Sequence, residues 1–254
     1  MFIDTHTHVT DEAFRGEEEA VVARAVAAGV EKMLLADTGS EERAEMFAFC
    51  KLHPGVVFPM LGLHPENVRD NWRDELDQLG QWLPKHPVAI GEIGLDYHWD
   101  VSFKEQQKEV LRLQLELASK LDLPVNIHLR DATEDFVELI KDCAGLHLRG
   151  NLHAYSGSLE TWKKLCRYGD WSLGIGGVVT FKKARLPEVV AAVPIEKILL
   201  ETDAPYMAPT PLRGTRNEPA NIPIIAAKVA EIKNIPVEKV EKITTRNAIE
   251  LFKL

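Results

Sequence analysis

The feature that most constrains this chain is an alternation, repeated about eight times from end to end. Short apolar runs take turns with longer amphipathic ones. Residues 2–8, 32–36, 56–64, 88–92, 124–128, 149–153, 171–176 and 197–201 read as strands. Residues 17–28, 40–52, 72–83, 103–121, 133–143, 158–168, 186–193, 222–233 and 237–251 read as helices. Local signals agree. Gly29 stops the first helix, Ser40-Glu41-Glu42-Arg43 has a capping-box pattern, and Ser158 is placed as an N-cap. The stripe from Leu111 to Leu117 reads as the core face of its helix. Strict strand–helix alternation implies a parallel sheet. Eight such units in 254 residues fit a closed (β/α)8 (TIM) barrel, with a doubly wound open sheet as the alternative. No Ser/Gly linker divides the chain, so one domain over residues 1–254 is expected.

Composition narrows the class. A formal net charge of −9 argues against an extended basic surface for coating nucleic acid; it leaves room for local binding of a few phosphates. Cys50, Cys143 and Cys166 are widely spaced with no CxxC, which argues against a disulfide framework or thiolate zinc site. No apolar run reaches membrane-spanning length, and Asp4, Thr5 and His6 arrive too early for a signal peptide. A cytoplasmic, monomeric protein is expected.

Residues that bind metals gather at strand ends. His6 and His8 share one face of strand one. Glu92 closes strand four, His128 strand five and His153 strand six, while Asp203 follows strand eight. Parity matches: Ile90 with Glu92, Asn126 with His128 and Arg130, Asn151 with His153 and Tyr155, Glu201 with Asp203. Singly, each has an ordinary role as a cap, an ion-pair partner or a satisfied buried histidine. Together they would meet at the C-terminal mouth of a barrel, where active sites sit. Four imidazoles and two carboxylates exceed one tetrahedral site. They suit two divalent ions, one on His6, His8 and Asp203, the other on His128 and His153, with Glu92 bridging. Such a pair activates water and clamps the attacking and leaving oxygens of a displacement. Zn, Mg, Mn, Ni, Fe and Co are the candidate metals. Glu92 and Asp203 are the expected catalytic carboxylates.

Other residues border this mouth. His64 ends strand three and is placed either against substrate or in a loop hydrogen bond. Arg130 suits phosphate, or pairs with Asp131 or Glu92. Asp4 could orient a ligand histidine, and Glu201 could accept a proton. Arg216 and Asn217 read as part of a solvated loop. The glycines of Gly174-Ile175-Gly176-Gly177 would let a strand end bend or a substrate approach backbone.

The segments Asp4-Thr5-His6-Thr7-His8, Gly62-Leu63-His64-Pro65, Gly91-Glu92-Ile93-Gly94-Leu95-Asp96-Tyr97, His128-Leu129-Arg130-Asp131, Glu201-Thr202-Asp203-Ala204-Pro205-Tyr206 and Arg216-Asn217-Glu218-Pro219 occur in that order. As a set they resemble the TatD family of metal-dependent deoxyribonucleases, within the amidohydrolase superfamily, over the whole chain. The resemblance implies a distorted TIM barrel, a binuclear divalent metal site on His6, His8, Glu92, His128, His153 and Asp203, and phosphodiester hydrolysis. A 3′→5′ exonuclease acting on DNA ends or single strands is the expected activity. It also points to Asp96, His64 and Arg130 as substrate or supporting contacts. One departure stands out: family members often read His-Cys-Phe-Ser-Gly where this chain has His153-Ala154-Tyr155-Ser156-Gly157. Tyr155 would add a hydroxyl near the mouth, placing it among the substrate-binding candidates. The rival reading is a metal-dependent hydrolase of small esters or amides on the same barrel.

Overall fold

The computed structural model describes residues 1–254. Its strands are β1 (Phe2–Thr7), β2 (Val30–Leu35), β3 (Val57–Pro59), β4 (Ile90–Asp96), β5 (Val125–Arg130), β6 (Arg149–Leu152), β7 (Asp170–Ile175) and β8 (Ile198–Leu200). Between and after them come α1 (Glu18–Ala27), α2 (Ser40–Leu52), α3 (Trp72–Trp82), α4 (Lys104–Leu121), α5 (Thr133–Asp142), α6 (Leu159–Leu165), α7 (Leu186–Ala192), α8 (Ile222–Lys233) and α9 (Val237–Phe252).

All pairings are parallel. They form two ladders, β1-β2-β3 and β4-β5-β6-β7-β8. Backbone hydrogen bonds beyond the regular strands join the ladders at both edges. Val88 N–H donates to Pro59 O at 2.9 Å, Leu61 N–H to Ala89 O at 3.0 Å and Gly91 N–H to Leu61 O at 2.9 Å. On the other side Asp203 N–H donates to His6 O at 2.9 Å and His8 N–H to Ala204 O at 2.8 Å. The strands thus follow one another around a distorted (β/α)8 barrel, and the open-sheet alternative falls away.

β1 is buried along its whole length, as a strand flanked on both sides inside a helical shell must be. The helices turn their apolar faces inward, and 52 buried residues form the main core cluster. In α4, Leu111, Leu115 and Ala118 face this interior, while Val110 packs in a smaller cluster with Leu63, Val68 and Trp72. Leu113 does not; it is exposed and borders a surface cavity between α3 and α4 with Leu117, so the apolar stripe is narrower than expected. Ser158 caps α6, accepting from Thr161 N–H at 3.0 Å. The capping box expected at Ser40 does not form: Gly39 is the N-cap, and the Ser40 hydroxyl donates to Glu75 at 2.6 Å instead. No helix is long and apolar enough to cross a membrane.

Candidate metal centre

The side chains from β1, β4, β5, β6 and the turn after β8 meet at one mouth. His6 Nε2 and His8 Nε2 lie 3.1 Å apart. Glu92 Oε2 is 3.2 Å from the first and 3.6 Å from the second. Asp203 Oδ1 is 3.6 Å from His6 Nε2 and 3.5 Å from His8 Nε2. A tetrahedral ion with bonds of about 2.0–2.1 Å has donor–donor edges of about 3.3–3.4 Å. These separations therefore fit one ion among the four side chains.

The other oxygen of Glu92 faces a different group. Oε1 lies 2.8 Å from His128 Nδ1, 3.2 Å from His153 Nε2 and 3.3 Å from His64 Nε2. One carboxylate thus addresses two sets of donors, each with one of its oxygens.

The neighbours of each imidazole decide which nitrogen is free. His6 Nδ1 is 2.9 Å from Asn126 Oδ1, an acceptor, so Nδ1 carries the proton and Nε2 is left with its lone pair. His153 Nδ1 is held the same way by Glu201 Oε1 at 3.2 Å. His128 is held by a carboxylate on each side: Nε2 donates to Asp96 Oδ2 at 2.7 Å and Nδ1 to Glu92 Oε1 at 2.8 Å. In all three the nitrogen that faces Glu92 is the one that would ligate an ion, at His128 and His153 after giving up a proton. His64 is built the opposite way. Its Nδ1 accepts the backbone N–H of Glu66 at 3.2 Å, so its proton sits on Nε2 and points at Glu92. Its position suits a hydrogen-bond donor better than a ligand.

Burial opposes every charge here, and the partners decide the balance. At Glu92 burial is outweighed by His6, His64 and His153, which hold the carboxyl well below its usual range. Asp203 is likewise held low, against burial, by His153 and the hydrogen bond with His8. At His128 burial is overcome by hydrogen bonds to Asp96 and Glu92, and the imidazole is raised to about 9. At His153 Glu92 and Glu201 overcome burial and raise it well above its ordinary value. His64 goes the other way: burial holds it down. The cluster thus binds protons firmly where it would hold cations, a competition typical of metal sites.

Several expectations need correction. Tyr155 borders the cavity, but its hydroxyl donates to Ser158 O at 2.6 Å and its ring packs into the core. Strand parity does not reach Tyr155, because β6 ends at Leu152 and Ala154 adopts φ 43, which breaks the strand's alternation. Arg130 lines the cavity and is exposed; it makes no ion pair with Asp131 or Glu92, and stacks instead over Trp99, 5.4 Å from the ring centroid. Asn217 is not solvated. Fully buried, it donates to Thr202 O at 2.8 Å and Tyr206 O at 2.7 Å, holding the turn that carries Asp203. Arg216 pairs with Glu17 and Glu218. Asp4 accepts from Thr202 N–H at 2.9 Å and His6 N–H at 3.3 Å, tying β1 to the β8 turn. Gly174 neither bends the strand nor meets substrate: a Cβ there would lie 2.0 Å from Glu201 Oε2. Its bareness makes room for the carboxylate that orients His153.

Sequence reasoning passed over Glu66. It lines the cavity and lies with Asp96 and His128 Nε2 in a further acidic–imidazole group. Its place two residues after His64 was the available signal. The cavity as a whole holds about 710 Å³ and opens over His8, Glu92, His128, His153 and Asp203.

A barrel whose strand ends gather imidazoles and carboxylates around one shared glutamate is the architecture of a metal-dependent hydrolase. Comparison with known proteins agrees. The family model for TatD related DNase matches residues 3–253, and the chain belongs to that family. Over 263 residues it is 39% identical to the uncharacterized metal-dependent hydrolase YabD of Bacillus subtilis, covering 100% of both chains. It is 32% identical over 259 residues to the 3′-5′ ssDNA/RNA exonuclease TatD of Erwinia amylovora, covering 99% of each. The crystal structure of the TatD homologue YjjV from Escherichia coli superposes with a TM-score of 0.91 at 33% identity, covering 100% of this chain and 98% of that one.

Proposed function

We propose that this chain, acting as one barrel, hydrolyses phosphodiester bonds at the ends of single-stranded DNA, progressing 3′→5′, with two divalent ions held on either side of Glu92. The observation that carries this is the division of Glu92: Oε2 serves His6 and His8, while Oε1 serves His128 and His153. Asp203 completes the first set. Zn, Mg, Mn, Ni and Fe are the candidates. The substrate class is supported by the name of the Erwinia relative. All six proposed ligands come from one chain, which suits a monomer, and three free cysteines fit a reducing cytoplasm.

When bound, the ions supply positive charge to a phosphate oxygen and lower the pKa of an attacking water. The remaining work belongs to side chains. Asp203 is held ionised at the edge of the cavity and can receive the water's proton. His64, kept neutral by burial, directs its Nε2–H at Glu92 Oε1, 3.3 Å away, and lines the cavity where that N–H can pass to charge developing on the phosphate or the leaving oxygen. Arg130 reaches the phosphate from the rim. Asp96 and Glu201 fix the rings of His128 and His153. Tyr155 contributes a wall rather than its hydroxyl.

The test is hydrolysis of end-labelled single-stranded DNA by metal-stripped protein reloaded in turn with Mg, Mn and Zn. A metal-restored ladder shortening from the 3′ end, absent in His128→Ala, is the expected result. No cleavage with any metal, together with turnover of a carboxylic ester, would overturn it.

A further inference from the structure

Trp99 is 73% exposed, the most exposed large hydrophobic side chain of the molecule. It sits on the loop after β4, three residues beyond Asp96. Asp96 both accepts from the His98 backbone N–H at 2.8 Å and holds His128. One side of its indole is covered by the guanidinium of Arg130, whose carbon lies 5.4 Å from the ring centroid, and Arg130 itself lines the metal cavity. The His98 ring stands edge-on to the indole, with centroids 4.6 Å apart at 86°, and His98 Nδ1 is 2.8 Å from Asp131 Oδ2. An indole left in water gains nothing for the fold. Here it is nonetheless held in place by a cation and an imidazole, on the flank of the site where His128 stands.

We infer that Trp99 and Arg130 form a nucleobase-binding platform at the rim of the cavity, taking one base of a single-stranded nucleic-acid end. This deepens the nuclease reading and rests on it. The geometry suits one nucleotide. Arg130 is two residues beyond His128 on β5, about 6.6 Å along the strand. A phosphate held in the cavity beside His128 therefore leaves its attached nucleoside beside Arg130 and Trp99. Stacking is indifferent to base identity, because every base has a π face, and the neighbouring guanidinium adds attraction for both the ring and the backbone. The platform also supplies local recognition on a chain whose net charge of −9 gives no general attraction for nucleic acid.

The platform acts on binding rather than on the bond-breaking atoms, so its loss should appear in KM with little change in kcat. The experiment measures both for the metal-loaded wild type, Trp99→Ala and Trp99→Phe on three single-stranded oligonucleotides. One is unmodified, one is abasic at its 3′-terminal residue, and one is abasic at the penultimate residue. Trp99→Ala should raise KM about ten- to a hundredfold on the unmodified strand, and Trp99→Phe should recover most of that loss. On one of the two abasic strands the effect of Trp99→Ala should shrink at least tenfold, which also identifies the stacked base. A loss equal on all three strands would assign Trp99 to loop structure and overturn the platform, as would an unchanged KM in Trp99→Ala. Wild-type protein that cleaves none of the strands would overturn the nuclease reading and the platform with it. Cleavage by wild type and Trp99→Ala alike would remove the platform only.

Discussion

Each oxygen of Glu92 faces a separate group of imidazoles, so truncating this side chain should disable both halves of the site at once. Glu92→Ala is expected to lower kcat/KM by at least about a thousandfold while leaving the far-ultraviolet circular dichroism of the barrel intact; near-normal hydrolysis would refute the shared role. His64 offers a finer distinction. If its Nε2–H serves substrate, His64→Gln should lower kcat about ten- to a hundredfold with metal content per chain unchanged. A fall in bound metal would make it a ligand instead. Protonation supplies a third test. His128 is raised from 6.5 to about 9 in the metal-free fold, so its stabilising contribution is complete below pH 6.5 and is lost as pH rises towards 9. Metal binding must displace that proton and so improves over the same interval. The gain in Tm on adding Zn should therefore grow from pH 6 to pH 8.5; a flat gain would show that His128 does not compete with the ion. The choice of imidazole nitrogen was invisible in the sequence, because Asn126, Asp96 and Glu201 impose it from other strands.

At the scale of elements, the strand ends do more than end. β4 runs on to Asp96, four residues past the end expected at Glu92, and so carries both the shared carboxylate and the one that turns His128. β6 and β8 stop early, at Leu152 and Leu200, and the chain then passes through positive φ at Ala154 and Asp203. Alternation within a strand was legible and brought the candidate ligands to one mouth; it does not extend past these turns, and so it does not carry the Tyr155 hydroxyl to the cavity. Gly174 on β7 gives the element-level prediction. Adding a methyl there drives into Glu201, with Cδ at 2.5 Å, and displaces the carboxylate that holds His153. Gly174→Ala should lower activity and metal affinity about ten- to a hundredfold, read as metal per chain after dialysis. Retention of full metal content would show that Glu201 is not needed to orient its histidine.

For the whole molecule, the net charge and the buried site pull in different directions. A chain of formal charge −9 has little long-range attraction for DNA, whereas a loaded site would be locally cationic. Contact should then involve one or two phosphates. The slope of log(1/KM) against log[salt] for single-stranded DNA is expected near about −1, well short of the steep slopes of basic grooves. A slope of about −4 or steeper would require a nucleic-acid track outside the mouth.

The sequence by itself determined the eight-fold strand–helix alternation, hence a parallel sheet, and the residues at its C-terminal strand ends, because side-chain period and strand polarity are local properties; closure into a barrel came with the tertiary structure. Only the tertiary structure decided that Glu92 would divide its oxygens between two sets of imidazoles. It also turned Asn217 inward beneath Asp203, gave the Tyr155 hydroxyl to Ser158, and set Trp99 beside Arg130 at the rim. These depend on distances between atoms far apart in the chain, which are fixed when the two ladders close on each other and not before.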